Sequence, residues 1–462
     1  MKNAMADGRW VIGDWRLAIA AVCVLASGGP GLRAEQRAAP AESNNPSTPA
    51  VFLIDLPAAL RLVGAQNLDV QLARERLAEA RANHESAMAQ FFPWLSPGAV
   101  YRRHENRVQA VDGTIFDADK QSYTVGASLT AQMDLGDAIY KSLAAERLVK
   151  AADYALDAQR QDAIVAAAQG YFDLAFGQAA VNVAREAVEI SSDYAIQVER
   201  AVDAGIAFKG DQLRVQVQKQ RNQLALRQAA EQQRVAAARL AQTLHLDPAV
   251  ELAARDDGDL APMALLSTNV PLDSLVREAI ATRPELKQSQ ALVAAAIDAK
   301  RGAIYGPMVP SLGAQAFVGG LGGGRNSDTG NFGDQEDYAI GLSWRIGPGG
   351  LFDSSRKQTA ESRLQGARLT EQKVRDEIGR QIVEAFARLR SSADQIDTAR
   401  SALEAAEEGL RLTQARKEFA VGVVLETIQA EQDLTRSRFD YFKAVTEFNK
   451  SQYALSKALG KL

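Results

Sequence analysis

The chain has 462 residues, 47% hydrophobic and 24% charged, with a formal net charge of −4. Length alone would allow two or three ordinary domains. A weakly acidic chain carries no basic footprint, so nucleic acid is not an expected partner. Aromatics make up only 6%, while Ala and Gln crowd the polar-periodic stretches, as long and closely packed helices require.

The first segment, 1–34, reads as a signal peptide. Lys2, Arg9 and Arg16 precede an uncharged stretch from Leu17 to Leu32, whose apolar centre is Leu17–Ala26, followed by Ser27, Gly28 and Gly29. The apolar centre is shorter than the roughly 20 residues of a spanning helix. Cleavage after Gly29 or after Ala34 fits equally. Cys23, the only cysteine, lies within the apolar run, so the secreted chain is expected to hold no disulfide. Val22 before it and Val24–Leu25 after it argue against lipid attachment. Residues 35–54 open with a Pro/Ala/Ser/Asn stretch and read as a flexible lead.

The remainder is written twice. A first repeat, 55–247, and a second, 272–462, share one order: helix, proline, two alternating segments, very long helix, glycine, helix. Pro93 answers to Pro310, Gly205 to Gly422, and Leu240/Leu244 to Leu455/Leu459. So long a repeat is a duplicated half rather than a short-period solenoid. Between them, 248–271 contains Pro248, Asp256, Asp257, Gly258 and Pro262, and reads as an equatorial connector.

Helices are expected near 55–92, 206–247, 272–306 and 423–460. Longer ones run from Ala138 to Ala204 and from Asp353 to Val421, each near 100 Å at 1.5 Å per residue. Apolar residues recur every three or four positions, as at Leu148/Ala152/Ala155 and Leu403/Ala406/Leu410, which forms a coiled-coil-like seam.

Segment 122–134 alternates without a break. Tyr123, Val125, Ala127, Leu129, Ala131 and Met133 share one face against Ser122, Thr124, Ser128 and Thr130. Segment 338–346 repeats the pattern with Tyr338, Ile340, Leu342, Trp344 and Ile346. Period two marks strands with one apolar and one polar face. Segment 311–319 is a weaker strand, and 95–104 the weakest. The links 105–121 and 319–337 read as surface loops, the second because of its glycines, Gly319–Gly324. Strands of roughly ten residues with aromatics near their ends suit a membrane barrel. An open sheet edge is not tolerated in lipid, and the smallest single-chain barrels have about eight strands. If these four strands enter a membrane, several copies must share one barrel.

The order and spacing of these features resemble the TolC family of outer-membrane efflux proteins. The likeness covers about 50–460. It is carried by the duplication, Arg283-Pro284-Glu285-Leu286, Pro93 and Pro310 before strands, Leu135-Gly136-Asp137 after them, Tyr171-Phe172-Asp173-Leu174, the turns at Ala204-Gly205 and Val421-Gly422, and Leu455 with Leu459-Gly460. The resemblance implies a mainly α fold with membrane β: a duplicated long-helix coiled-coil tunnel, and four strands per chain in a shared 12-stranded trimeric β-barrel in outer-membrane lipid. It implies a homotrimer working with a periplasmic adaptor and an inner-membrane transporter. Ala204, Gly205 and Ile206 with Val421, Gly422 and Val423 would then form the periplasmic tip that meets the adaptor. Asp211, Phe419, Glu426 and Gln429 would lie at the tunnel constriction. Tyr123, Val125, Leu129, Tyr338, Ile340, Leu342 and Trp344 would face lipid. Two departures affect the constriction. Glu426 follows its glycine two residues sooner than the family spacing, and Phe419 lacks the hydroxyl of the expected tyrosine. A ring of three Glu426 carboxylates would repel anions.

No zinc spacing, P-loop or nucleophile elbow is found, and His84, His104 and His245 lie in separate segments. Tyr171-Phe172 and Phe439/Phe442 have helical spacing and read as core. Neither enzyme activity nor a cofactor is expected. A passive outer-membrane conduit, for small molecules or for protein secretion, is the favoured reading. A periplasmic coiled-coil adaptor or scaffold without a barrel is the alternative.

Overall fold

The computed structural model describes residues 51–247, 250–255, 260–267, 270–325, 330–418 and 424–462. The signal peptide, Cys23 and most of the lead lie outside the described residues, as do Phe419, Val421, Gly422 and Val423.

The elements of the first half are β1 (Phe52–Ile54), α1 (Leu56–Gln66), α2 (Leu68–Ala89), β2 (Trp94–His104), β3 (Arg107–Gln109), β4 (Ile115–Asp117), β5 (Lys120–Asp134), α3 (Leu135–Asp203) and α4 (Lys209–Thr243). After β6 (Leu252–Ala254), the second half gives α5 (Leu272–Thr282), α6 (Pro284–Tyr305), β7 (Ser311–Arg325), β8 (Gly333–Ser343), α7 (Ser354–Glu418) and α8 (Val424–Ala458). The duplication is thus structural as well as sequential.

The segments expected as single helices at 55–92 and 272–306 are each two. Asn67 (φ −60°, ψ 127°) and Arg283 (φ −61°, ψ 126°) break them with nearly the same backbone but different chemistry. Asn67 Oδ1 accepts from Asp69 N at 3.0 Å and Val70 N at 3.1 Å, capping α2, while its Nδ2 donates to Thr243 O at 2.9 Å. Arg283 is forced extended by Pro284, which opens α6. Its buried guanidinium forks onto Glu285 at 3.1 and 2.6 Å and reaches Gln381 Oε1 at 2.5 Å. The Arg-Pro-Glu-Leu run is therefore a corner, with Leu286 sealed beneath it.

Two hydrophobic cores follow the duplication. One gathers Ile54, Val63, Tyr171, Phe172, Leu174, Leu240 and Leu244; the other gathers Leu286, Ile378, Ile382, Leu389, Leu455 and Leu459. The paired leucines are 0–1% exposed in both halves, so the repeat preserves its most buried positions. Tyr171 and Phe172 are core, as expected.

The connector is held by side-chain amides. Asn449 Oδ1 accepts from Met263 N at 2.8 Å and its Nδ2 donates to Ala261 O at 3.0 Å. Gln452 Oε1 accepts from Leu266 N at 2.8 Å. Both side chains are buried on α8, so they pair the connector backbone as a neighbouring strand would. Upstream, β6 pairs in parallel with β1.

The four long strands make one antiparallel sheet in the order β2-β5-β7-β8. Three expectations need correction, those for 319–337, for 344–346 and for 105–121. The glycine-rich stretch 319–325 is strand, not loop, and β8 already begins at Gly333. Its bare backbone makes room for rings: a Cβ on Gly322 would lie 2.4 Å from Tyr123 Cζ, and one on Gly320 would lie 2.1 Å from Phe332 Cζ. Tyr123 and Phe332 stack with centroids 5.8 Å apart. Trp344–Ile346, read as strand, lie beyond the end of β8, and Trp344 Nε1 donates to Met308 O at 3.3 Å. The segment 95–104, expected as the weakest strand, is a strand as expected, and β5 pairs its whole length. The stretch 105–121 also holds the small hairpin β3–β4.

Asn449→Ala would orphan the Met263 N–H and the Ala261 carbonyl. A loss of about 1–3 kcal/mol is expected for the stranded groups. It should be read as a lower thermal midpoint of the detergent-solubilised protein and new protease cleavage within 260–267. An unchanged midpoint and digest would refute the clasp.

Candidate channel elements: the open sheet and the helical tip

Residues directly opposite in an antiparallel pair project to the same face. Tyr101 is opposite Tyr123, Leu95 opposite Leu129, Ala316 opposite Tyr338, Ala314 opposite Ile340 and Leu312 opposite Leu342. One face of the whole sheet is therefore apolar. It is bare: Val125, Leu129, Tyr338, Ile340 and Leu342 are all exposed, Ile340 to 81%. The other face carries Ser122, Thr124, Ser128, Thr130 and Gln315, and forms a groove also lined by Arg102, Phe317 and Asp337. Among the described residues, the outer strands β2 and β8 have no second neighbour within the chain.

The sheet joins the helices through a tight seat. α3 starts at Leu135, immediately after β5. A Cβ on Gly136 would lie 2.2 Å from Gly306 O, so the Leu135-Gly136-Asp137 run needs its glycine for close approach. Asp137 pairs with Arg356, which also donates to Gly302 O at 3.2 Å. Arg356 was not singled out in the sequence, since a lone Arg at a helix start carries no signal.

At the far end of α3 the chain turns back into α4. Gly205 has φ +72°, the left-handed conformation that glycine adopts without steric cost. Gly205 N donates to Val202 O at 2.9 Å and Ile206 N to Ala201 O at 2.8 Å, closing the helix end behind Ala204. Ile206 and Phe208 then stand in solvent, 83% and 73% exposed. The corresponding turn of the second half lies outside the described residues.

Just inside the tip, Tyr194 and Val198 of α3, Val215 of α4 and Ile428 of α8 form a small core. Burial raises the Tyr194 pKa, its hydrogen bond with Thr427 lowers it, and the charges of Glu431 and Asp211 raise it further. The net shift is upward, so the phenol stays neutral and bridges α3 to α8. Asp211, a sequence candidate, takes Arg214 Nη1 at 2.9 Å. Glu426 lies 3.4 Å from Arg416 across the hairpin of α7 and α8. Gln429 is exposed. Residues not anticipated matter as much: Glu431 is buried, and Gln432 Nε2 donates to Gln218 Oε1 at 2.6 Å.

Three ion pairs continue the same seam away from the tip. Glu186, Asp173 and Asp162 of α3 meet Arg438, Lys450 and Lys457 of α8. All the acids are on α3 and all the bases on α8. Burial alone would lower the Lys450 pKa, but the hydrogen bond and charge of Asp173, with Glu447, raise it overall. Such partly exposed pairs add little stability each, yet together they fix the register of two antiparallel helices.

Tyr194→Phe removes the phenol bridge at a cost of about 0.5–1.5 kcal/mol. Backbone amide exchange should quicken in 424–432 and stay unchanged in 444–458. Equal exchange in both stretches would refute a local role for the bridge.

Comparison with known proteins agrees with this geometry. The model of the outer membrane efflux protein family matches residues 59–244 and 275–461, one match in each repeat. Protein CyaE of Bordetella pertussis is 28% identical over 332 residues, which span 69% of this chain and 66% of that protein. Among solved structures, a membrane protein from Pseudomonas aeruginosa superposes with a TM-score of 0.75 at 19% identity, covering 88% of this chain and 94% of its own. The Campylobacter jejuni CmeC outer membrane channel gives 0.74 at 16% identity, covering 88% and 85%. The chain belongs to the outer membrane efflux protein family, with the outer-membrane channel fold and a helical body that extends into the periplasm.

Proposed function

We propose that this protein is the outer-membrane channel-tunnel of a tripartite efflux or type I secretion system, and that it conducts substrate passively from an inner-membrane transporter and a periplasmic adaptor to the exterior. The observation that carries this reading is the unfinished sheet, with an exposed apolar face, a polar face and two open edges. In lipid the unpaired N–H and C=O groups of β2 and β8 need partners. A homotrimer satisfies them by joining β8 of one copy to β2 of the next. The apolar face then meets lipid and the polar face becomes the lumen.

The two helical turns are the adaptor-facing tip in this reading. Ile206 and Phe208 offer it apolar area, and Ala204-Gly205 sets their direction. By the repeat, Val421, Gly422 and Val423, which lie outside the described residues, are assigned to the same tip. The constriction is assigned to Asp211, Phe419, Glu426 and Gln429. Arg416 near Glu426 offsets part of its charge, so the ring is a weaker cation filter than three free carboxylates. The motive energy belongs to the transporter.

The mature protein should fractionate with the outer membrane and show, after detergent correction, a mass of three chains by light scattering. A soluble periplasmic monomer or dimer would sink the reading and favour a scaffold without a barrel. Within the trimer, Glu426→Gln should reduce single-channel cation selectivity and block by multivalent cations. Unchanged selectivity would remove Glu426 from the constriction.

A further inference from the structure

The strand register creates a charge arrangement at the end of the sheet farthest from the helices. His104 is opposite Lys120 on β5, and Lys120 is opposite Arg325 on β7. Opposed residues share a face, so three basic side chains stand in one row across three adjacent strands. By the same register this row lies on the face of Ser122 and Thr124, away from Tyr101 and Tyr123. Arg102, opposite Ser122, is on that face as well.

No ion pair among the described residues neutralises the row. Among the described residues, Arg102, Lys120 and Arg325 have no ion-pair partner, and His104 Nε2 is enclosed without a hydrogen-bond partner. The nearby Glu105 is taken by Arg103, which points to the apolar face. Asp119 accepts the Asn106 N–H at 3.1 Å. On the polar face of β8, Asp337 is bound by Gln335 at 2.6 Å. It stands level with Ser128, eight residues along β5 from Lys120, or about 26 Å at the usual rise. Like charges directly opposite one another destabilise a sheet. Neighbouring side chains in such a row stand about 5 Å apart at Cβ, a spacing that one oxyanion with several charged oxygens can bridge.

We propose that His104, Lys120 and Arg325, supported by Arg102, form an anion-binding collar at the outer mouth of the lumen, selective for solutes bearing clustered phosphate or carboxylate groups. The proposal rests on the channel reading, because only in a closed barrel does the polar face enclose a lumen. Three copies repeat the row around the mouth. The collar favours passage of anionic groups at the exit, while Glu426 acts on cations at the opposite end. Phosphates of lipid headgroups would approach the other face, where Arg103 stands.

The test is calorimetric titration of inorganic triphosphate into the full-length, detergent-solubilised protein at low ionic strength, followed by the same titration at about 1 M salt, where the screening length falls to about 3 Å. Wild type should bind saturably and lose binding in high salt. Lys120→Gln/Arg325→Gln should weaken binding at least tenfold and Arg102→Gln about threefold, whereas Arg103→Gln should leave it unchanged. If the double variant fails to assemble, Lys120→Gln and Arg102→Gln singly carry the test, each with about threefold weaker binding. Absence of wild-type binding, or equal binding by the variants, overturns the collar. Loss of binding only in Arg103→Gln assigns the anion to the lipid-facing side and overturns it too. Light scattering on the same samples separates the two readings: a wild-type trimer that ignores triphosphate refutes the collar alone, and a wild-type monomer refutes the channel.

Discussion

Backbone hydrogen bonding at the sheet edges is the constraint on which the rest depends. Among the described residues β2 and β8 are paired on one side only, and their apolar face is bare. In water such edges invite indiscriminate pairing; in lipid they cannot exist unpaired. One chain cannot remove them, because four strands do not close. The duplication explains why the number is four: each half supplies one hairpin-like pair, and β5–β7 is the pairing that joins the halves. The helices inherit this geometry through the seat at Gly136, Asp137 and Arg356, where α3 leaves β5 without a linker.

The helical body must then keep α3, about 100 Å long at 1.5 Å per residue, in one register against its partners. Apolar packing alone sets this weakly when the seam is rich in alanine. The chain uses polar ties at intervals instead: Asp162–Lys457, Asp173–Lys450, Glu186–Arg438, then Gln218–Gln432 between α4 and α8 and Tyr194–Thr427. A slide by one turn would place each α3 acid away from its base.

Much of the architecture was legible in the sequence because two strong periodicities carry it. Unbroken alternation marked β5, and the three-and-four pattern marked α3 and α7. What escaped depends on contacts between distant segments. The strength of β2 is one example: Arg102, Arg103 and His104 blur its alternation, so it was expected as the weakest strand, yet it pairs with β5 along its whole length. The glycines at 319–324 look like a loop until Tyr123 and Phe332 are placed over them. Asn67 breaks a helix without proline or glycine, since its cap and its bond to Thr243 replace what the helix loses. At the tip, the family resemblance pointed to Asp211 and Glu426; Asp211 pairs within its own helix with Arg214, but Arg416, the partner of Glu426, lies on α7 and could not be read from a single segment.

The distribution of packing bears on motion. The equatorial cores are large, and buried amides clasp the connector there. Toward the tip the core shrinks to Tyr194, Val198, Val215 and Ile428, and single hydrogen bonds and exposed ion pairs take over. Local opening free energy follows the number of buried apolar contacts. The tip is therefore the region that opens most readily, while the equator and the sheet stay fixed. For the proposed passive conduit this gradient is useful: the barrel would stay closed at its seams, and the tip would be loose enough for an adaptor's binding energy to shift. The weak ties at Thr427 and Glu426 are suited to that role because each is worth about 1 kcal/mol or less, within reach of a modest difference in partner affinity.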